Sequence, residues 1–246
     1  MNELDFYDKV GKTNGWNFSQ LQVITEGIEW DFYEEVTKRC RRSDILLDVG
    51  TGGGENVLKI ASSLLFLVGI DLSGEMIGTA QSNLKNSNVS NVRFSEMSAA
   101  HLQFPDGFFD VVSSCHAPFV SAEIARVLKK GGTFLTQQVS EEDKVNIKTA
   151  FGRGQSFGEL DGMLKEKYIK ELKEAGFTKV QSFAYRATEY YQRPEDLIFL
   201  LKHTPIIPDF GQCEKDLDIL NDFIQCNITE KGIRTNCDRF LIIANK

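Results

Sequence analysis

Short apolar runs alternate with amphipathic stretches between residues 44 and 140. The runs are rich in Ile, Leu, Val and Phe and have the length of strands, which predicts strands buried on both faces of a sheet. The stretches between them have apolar residues at helical spacing, so this part of the chain predicts successive strand–helix–strand units. Strands are predicted at 45–50, 66–71, 91–95, 109–114 and 133–139.

Amphipathic helices are predicted between and after these strands, at 54–64, 73–86, 121–130 and 159–176. Ser73 has the side chain of a helix N-cap, and the Gly131-Gly132 pair favours a helix end with a positive φ angle. Alternation at 180–191 predicts an antiparallel strand, and the apolar run at 239–245 predicts the last strand.

Two regions depart from this alternation. The first 43 residues, 1–43, form a leader with many aromatic residues, one predicted helix at about 20–40 and a candidate role as a lid. Residues 194–230 are predicted to insert two helical pieces around a proline-rich kink. We therefore expect a leader followed by one α/β domain, 44–246, that contains the insertion.

The segment ILLDVGTGGGE, at 45–55, places an acid and then four glycines after the first predicted strand. Glycines at such a turn allow the backbone to approach a cofactor closely. The Lys-Ser/Thr pair of a phosphate-binding Walker loop does not follow Gly54, and Glu55 stands where the dinucleotide fingerprint needs its third glycine. Asp48 would repel a pyrophosphate, whereas it suits a cationic ligand without phosphate, such as S-adenosylmethionine.

Four segments, in this order, resemble the motifs of class I S-adenosylmethionine-dependent methyltransferases. They are DVGTGGG at 48–54, Asp71 in LVGIDLS, MSAAHLQFPDGFFD at 97–110 and EIARVLKKGGTFL at 123–135. The resemblance implies an α/β fold with a seven-stranded Rossmann-like sheet in the order 3-2-1-4-5-7-6, strand 7 antiparallel, and helices on both faces. It also implies that S-adenosylmethionine binds across the carboxyl ends of strands 1 and 2.

The same resemblance implies which residues contact the cofactor: Asp48, Gly50, Thr51, Gly52, Gly54, Asp71, Leu72, Met76, Ser98, Ala99 and Ser114. Asp71 would hold the ribose hydroxyls. Ser98 stands where the family has an acid for the adenine, which leaves the adenine to the Ser98 hydroxyl, the Ala99 amide and apolar neighbours.

His116 directly follows the fourth predicted strand, at the edge where cofactor and substrate meet in this fold. Two interpretations stay open, a general base and a histidine that packs beside Phe119. Tyr7, Trp16, Phe18 and Phe119 are candidate walls of a substrate pocket, and the alternative for the leader aromatics is packing against the sheet.

Composition and charge argue against several kinds of binding partner and binding site. The formal net charge of −7 argues against a broad nucleic-acid or membrane surface, and the basic run KRCRR at 38–42 is predicted at the edge of the sheet opposite the cofactor. No apolar run is long enough to cross a bilayer, and the five cysteines have no metal-binding spacing. We therefore expect a cytoplasmic protein without a metal site or membrane attachment.

The acidic charge and the candidate aromatic lid favour a small-molecule acceptor. A partial similarity of HAPFVSAEIARVLKKGG, at 116–132, and of Ser98 to bacterial guanine-N1 ribosomal RNA methyltransferases keeps an RNA base as the alternative. The leader lacks the four-cysteine zinc module of those enzymes. A third hypothesis is a non-catalytic protein that binds S-adenosylmethionine. The acceptor atom and the oligomeric state are not predicted.

Overall fold

A mixed β-sheet of nine strands runs through the described part of the chain. The computed structural model describes residues 3–14 and 17–246. The strands are β1 Val23–Glu26, β2 Ile45–Val49, β3 Phe66–Asp71, β4 Val92–Glu96, β5 Phe109–Cys115, β6 Leu128–Val139, β7 Lys179–Tyr191, β8 Ile228–Thr229 and β9 Gly232–Asn245. The helices are α1 Glu3–Asn14, α2 Phe32–Thr37, α3 Glu55–Ile60, α4 Gly74–Lys85, α5 Ser121–Val127, α6 Val145–Phe151, α7 Met163–Glu174, α8 Pro194–His203 and α9 Asp216–Asn227, with a 3₁₀ turn at Ala61–Ser63.

The strand order is β1-β7-β9-β6-β5-β2-β3-β4, and β8 pairs with β9. Strands β2 to β6 are parallel to one another, whereas β9 is antiparallel to both β6 and β7. The predicted order and the antiparallel last strand are confirmed. The predicted count of seven is wrong, because β1 extends the sheet beyond β7 and β8 forms a short hairpin with β9.

The parallel strands are buried on both faces, as their unbroken apolar runs predict. Adjacent residues of β2 show this directly, since Leu46 packs with α2, α3 and α4 on one face and Leu47 packs with α5 and α7 on the other. Both leucines are fully buried. Period-two alternation within one strand therefore contributes to the hydrophobic cores on both faces of the sheet.

The single helix predicted for residues 20–40 is wrong. This part of the leader forms β1 and the short helix α2, and between them Gly27 has a φ of 90°, which breaks a helix. Val23 pairs with Tyr191 at the edge of the sheet, so cross-strand pairing replaces local helix formation. The leader thus joins the same sheet as the domain that follows it.

Helix boundaries shift where strand pairing competes with helix propensity. The helix predicted at 121–130 ends at Val127 because Leu128 pairs with Phe109 at the start of β6. The Ser73 cap is confirmed, since its side-chain oxygen accepts a hydrogen bond from the Met76 N–H at 3.2 Å. The helix α6, which the periodicity did not predict, packs with α8 and α9 around the buried residues Phe223 and Ile147.

None of the helices in residues 3–14 and 17–246 is long and apolar enough to cross a membrane.

Phe134 lies at the centre of one core, fully buried between the rings of Phe119 and Phe177 at centroid distances of 4.8 and 6.3 Å. We expect Phe134→Ala to lower the free energy of unfolding by about 3–5 kcal/mol, because the void left by the missing ring cannot close in a sheet that is packed on both faces. Phe183→Ala removes a ring that is 45% exposed and should cost much less. Urea unfolding followed by circular dichroism measures both, and equal losses would contradict this packing.

Candidate functional site

A cavity of about 240 Å³, called here the first cavity, opens at the carboxyl ends of β2, β3 and β5. Its wall includes seven of the predicted cofactor residues, Gly50, Gly52, Asp71, Leu72, Met76, Ser98 and Ala99. The other four predicted cofactor residues, Asp48, Thr51, Gly54 and Ser114, do not line the cavity. The parallel register brings these strand ends to one edge, which is where ligands bind in open α/β sheets.

The turn after β2 has a backbone that only glycine adopts easily. Gly50, Gly52 and Gly54 have φ angles of 72°, 56° and 75°. A Cβ atom on Gly50 would lie only 2.1 Å from the Cβ of Ala117 in the loop after β5. The glycine at this position therefore permits both the turn and the close approach of the two loops that form the cavity.

Asp71 is the carboxylate that lines the first cavity. Its two oxygens accept hydrogen bonds from the N–H groups of Gly52, at 2.9 Å, and Ser73, at 3.0 Å. Partial burial raises the pKa of Asp71, and these donors oppose that rise. Each oxygen keeps a lone pair, so the group is able to accept hydrogen bonds from ligand hydroxyls.

Asp48 lies beneath the glycine turn and has no solvent exposure. The Ser113 hydroxyl donates a hydrogen bond to its Oδ1 at 2.6 Å, whereas Oδ2 and the hydroxyl of Thr51 have no partner among the described residues. Burial raises the pKa of Asp48 to about 7, and the negative charge of Asp71 adds to the rise. Asp48 does not line the cavity, so any effect that it has on a ligand is indirect and depends on the glycine turn and on Ser113 of β5.

His116 lines the first cavity in a strained backbone conformation, with a φ of 57°. Its backbone N–H donates to the backbone carbonyl of Gln137 at 2.8 Å, and its ring Nε2 lies 3.1 Å from the side-chain Nε2 of Gln137. Burial, together with the positive charge of Arg239, lowers the pKa of the imidazole to about 3. His116 is therefore neutral near pH 7 and binds a proton only weakly. This weak basicity disfavours the predicted role of general base.

The neighbouring Cys115 also lines the first cavity. Burial raises the pKa of its thiol, and the nearby charge of Asp48 raises it further. The group is therefore a neutral thiol and not a thiolate nucleophile.

The predicted aromatic walls fall in different places. Tyr7 and Phe119 line the first cavity, and Phe119 packs on Tyr168 at a centroid distance of 4.5 Å. Phe18 instead packs edge-on against Phe199 of α8, at 6.0 Å, so it belongs to the core of the insertion. Trp16 lies outside the described residues.

Helix α1 reaches the first cavity because it docks on α4. The Ser73 hydroxyl donates to the Asp8 carboxylate at 2.5 Å, and the Thr79 hydroxyl donates to the Gly11 carbonyl at 3.2 Å. A Cβ on Gly11 would lie 2.9 Å from the backbone nitrogen of Met76, so the two helices are in close contact. This contact holds Tyr7 at the edge of the cavity.

A second cavity, of about 590 Å³, lies between α1 and the segment 201–212 that includes the end of α8. Its wall combines apolar residues such as Ile207 and Phe210 with the exposed Lys9 and Lys202. Tyr7 lines both cavities. The two cavities are therefore neighbours that meet at a residue of the leader.

The lining of the first cavity favours a cofactor without phosphate. Among its described residues the ionisable side chains are Tyr7, Asp71, Cys115 and His116, and no lysine or arginine is among them. A pyrophosphate would meet a carboxylate there without a cation to balance it. S-adenosylmethionine has a sulfonium, an ammonium and two ribose hydroxyls, so the glycine turn and Asp71 fit it.

Sequence reasoning missed several residues of the site. Ala117 and Pro118 line the cavity after β5, and Trp30 and Gln137 contact each other below it. The proximity of Ala117 and Pro118 to His116 in sequence was a usable signal. Trp30 and Gln137 are 107 residues apart, so only the assembled sheet brings them together.

Comparison with known proteins identifies the domain. Residues 46–132 match the family model of a methyltransferase domain. The chain is 34% identical over 117 residues to the uncharacterized methyltransferase YcgJ of Bacillus subtilis, which covers 44% of this chain and 46% of that protein. The crystal structure of YcgJ has the same fold, with a TM-score of 0.60 and 21% identity over 87% of this chain and 97% of that one.

Two relatives extend the similarity over more of the chain. The phosphoethanolamine N-methyltransferase 2 of Caenorhabditis elegans is 29% identical over 211 residues, which are 72% of this chain and 44% of that protein. The sterol 24-C-methyltransferase ERG6 of Saccharomyces cerevisiae is 32% identical over 192 residues, 70% of this chain and 50% of that protein. The chain thus spans about half the length of these curated relatives.

The buried Asp48 predicts how stability changes with pH. Its folded-state pKa of about 7 lies above the ordinary value, so between about pH 4 and pH 7 the folded carboxyl keeps a proton that the unfolded one releases. Its contribution to stability therefore falls as pH rises through that interval. Asp48→Asn removes this loss. Between pH 4 and pH 8 we therefore expect the free energy of unfolding of the variant to rise by about 2–4 kcal/mol relative to that of the parent protein.

Chemical denaturation at a series of pH values measures this difference. Asp218→Asn, at an exposed position of α9, is the matched control and should follow the parent protein at each pH. A difference between Asp48→Asn and the parent that does not change with pH would contradict the raised pKa.

Proposed function

Because the chain contains a class I S-adenosylmethionine-dependent methyltransferase domain, we propose that it transfers the methyl group of that cofactor to a small-molecule acceptor. The proposal rests on one observation above all. The first cavity has the glycine turn and carboxylate that suit the cofactor, and it adjoins a second, larger cavity at Tyr7.

The residues of the first cavity would hold the cofactor. Asp71 would accept hydrogen bonds from its hydroxyls, and Gly50 and Gly52 would let the backbone approach it closely. Leu72 and Met76 offer apolar surface, and Ser98 and Ala99 offer a hydroxyl and a backbone amide. When bound, S-adenosylmethionine supplies a methyl group on a positively charged sulfur, which is already activated for transfer to a nucleophile.

What remains for the protein is to position the acceptor and to exclude water. Tyr7 and Phe119 supply aromatic surface at the first cavity. The second cavity offers room for the body of a small molecule, with both apolar and cationic groups on its wall. We propose that the acceptor lies in the second cavity and reaches the first cavity past Tyr7.

The relatives support a small acceptor. The names of two of them specify phosphoethanolamine and a sterol as the molecules on which those proteins act. Because the chain spans about half of each, their substrates do not carry over, but both are small molecules.

An RNA acceptor has less support. The described lining of the first cavity includes no arginine or lysine that would bind a phosphate backbone. In the basic run at 38–42, Lys38 and Arg39 pair with Glu35 at 2.6 and 2.7 Å, ahead of β2 and so at the opposite edge of the sheet. RNA and a non-catalytic binding role remain the outcomes that the experiments below would reveal.

Asp71→Asn tests the cofactor site. We expect the dissociation constants of S-adenosylmethionine and S-adenosylhomocysteine to rise about 10- to 100-fold, since an asparagine cannot accept from two N–H groups and a hydroxyl together. Isothermal calorimetry measures both. Glu96→Gln, at the exposed end of the adjacent strand β4, is the matched control and should bind as the parent does. A parent protein that binds neither compound would overturn the function itself.

Gln212→Trp tests the acceptor site. Gln212 is exposed on the wall of the second cavity and does not line the first, so an indole there should obstruct the acceptor without touching the cofactor. We expect kcat/KM for small-molecule acceptors to fall about 10-fold or more with the affinity for S-adenosylhomocysteine unchanged. Gln103→Trp, exposed but outside both cavities, is the control.

The assay follows a radiolabelled methyl group from S-adenosylmethionine into a panel of small molecules and into total RNA. Labelled RNA in place of small molecules would overturn the proposal, as would tight cofactor binding without transfer to any acceptor.

A further inference from the structure

Three side chains from distant parts of the sequence form a hydrogen-bonded chain that ends at the first cavity. The indole Nε1 of Trp30 donates to the Oε1 of Gln137 at 2.8 Å. The Nε2 of Gln137 lies 3.1 Å from the Nε2 of His116. Trp30 and His116 are half-buried and Gln137 is 9% exposed, so solvent competes little for these contacts.

The chemistry of these groups fixes the direction of each bond. An indole N–H only donates, so the amide oxygen of Gln137 must face Trp30 and its NH₂ group must face His116. An amide NH₂ also only donates, and His116 Nε2 must therefore accept. A neutral imidazole that accepts at Nε2 has its proton on Nδ1.

We propose that Trp30 and Gln137 are positioning residues that hold His116 as a neutral Nδ1–H tautomer, and that this N–H donates a hydrogen bond to an oxygen atom of the methyl acceptor. The inference rests on the proposed function. His116 lines the first cavity, and its Nδ1 has no hydrogen-bond partner among the described residues. The chain of donors thus leaves one ring N–H, on a residue that lines the first cavity, available to a ligand.

The backbone and the ring of His116 are held by the same partner. Gln137 pairs with Cys115 in the ladder between β5 and β6, and its carbonyl accepts the His116 N–H at 2.8 Å. This bond is formed although His116 has left the strand at a positive φ. Trp30 is in turn packed against Tyr185 of β7 at a centroid distance of 4.6 Å. The imidazole is therefore fixed from the leader, β6 and β7.

The charged groups around His116 also favour the neutral form. The guanidinium of Arg239, on β9, repels a second positive charge, while the carboxylate of Asp143 acts in the opposite direction but is itself paired with Arg239. Cys115, the preceding residue on β5, is a neutral thiol. Among the described residues, the charged groups that act on His116 are thus Arg239 and Asp143, which pair with each other.

This arrangement gives His116 a different task from that of a base. The lone pair of Nε2 is occupied by Gln137, so it is not free to accept a proton from the acceptor. The Nδ1–H group donates without releasing its proton. It would select acceptors that have a carbonyl, carboxylate or other oxygen lone pair beside the atom that receives the methyl group, over those that offer only N–H donors there.

Nitrogen-15 NMR of the protein labelled at histidine tests the tautomer without any acceptor. The chain has three histidines, and His116→Leu identifies the signals of this one. We expect a protonated Nδ1, an unprotonated Nε2 and no titration of His116 between pH 5 and pH 8. A protonated Nε2, or a midpoint between pH 6 and pH 7, would overturn the proposal.

Gln137→Glu reverses the bond. A carboxylate only accepts, so His116 should become protonated at Nε2 and should titrate within the range from pH 5 to pH 8. Gln137→Met removes the donor and the acceptor together and is the matched control, which should leave His116 without a fixed tautomer. Unchanged His116 signals in Gln137→Glu would contradict the positioning role.

A kinetic comparison tests the donor itself. Asparagine tolerates a positive φ and keeps an N–H donor, whereas leucine has neither property. We expect His116→Asn to retain at least 10-fold more of the parental kcat/KM than His116→Leu, with the two variants binding S-adenosylhomocysteine equally. Equal losses in both variants would overturn the donor role. Absence of S-adenosylhomocysteine binding in the parent would instead overturn the proposed function, while the NMR result would still decide the tautomer.

Discussion

The turn between β2 and α3 is the constraint on which the site depends. The N–H groups of Gly50 and Thr51 both donate to the Ile70 carbonyl at 2.9 Å, which fixes the turn to the end of β3. On the other side, Gly50 approaches Ala117 so closely that a methyl group would not fit. The carboxyl ends of three parallel strands are thereby held at one spacing, and the first cavity is the space between them.

Burial sets the charge of the groups around that cavity. It raises the pKa of Asp48 and of the Cys115 thiol and lowers that of His116, so each of these groups is biased toward its neutral form. Asp71 stays partly exposed and receives two N–H donors, which makes it the carboxylate best suited to contact a ligand. A cavity with this lining favours a cofactor that needs no phosphate site and brings its own activated methyl group.

Two parts of the chain outside the parallel sheet complete the site. Helix α1 docks on α4 through Asp8 and Gly11 and places Tyr7 where the two cavities meet. The insertion contributes the far wall of the second cavity from α8 and the segment after it. The sheet thus supplies the part of the site that the family shares, and the leader and insertion supply the part in which an acceptor would be selected.

Local chemistry explains what the sequence determined by itself. Continuous apolar runs predicted the parallel strands, and the acid–glycine pattern predicted the turn that suits the cofactor, because burial on both faces of a sheet and a positive φ each restrict which residues a position accepts. The order of the strands followed from the resemblance of four segments to the motifs of a known family. The edge strand β1, the position of Asp48 outside the cavity lining and the separation of Phe18 from the site depended on tertiary structure. So did the contact of Trp30, Gln137 and His116, because pairing between distant segments decides which side chains meet, and no local pattern records it.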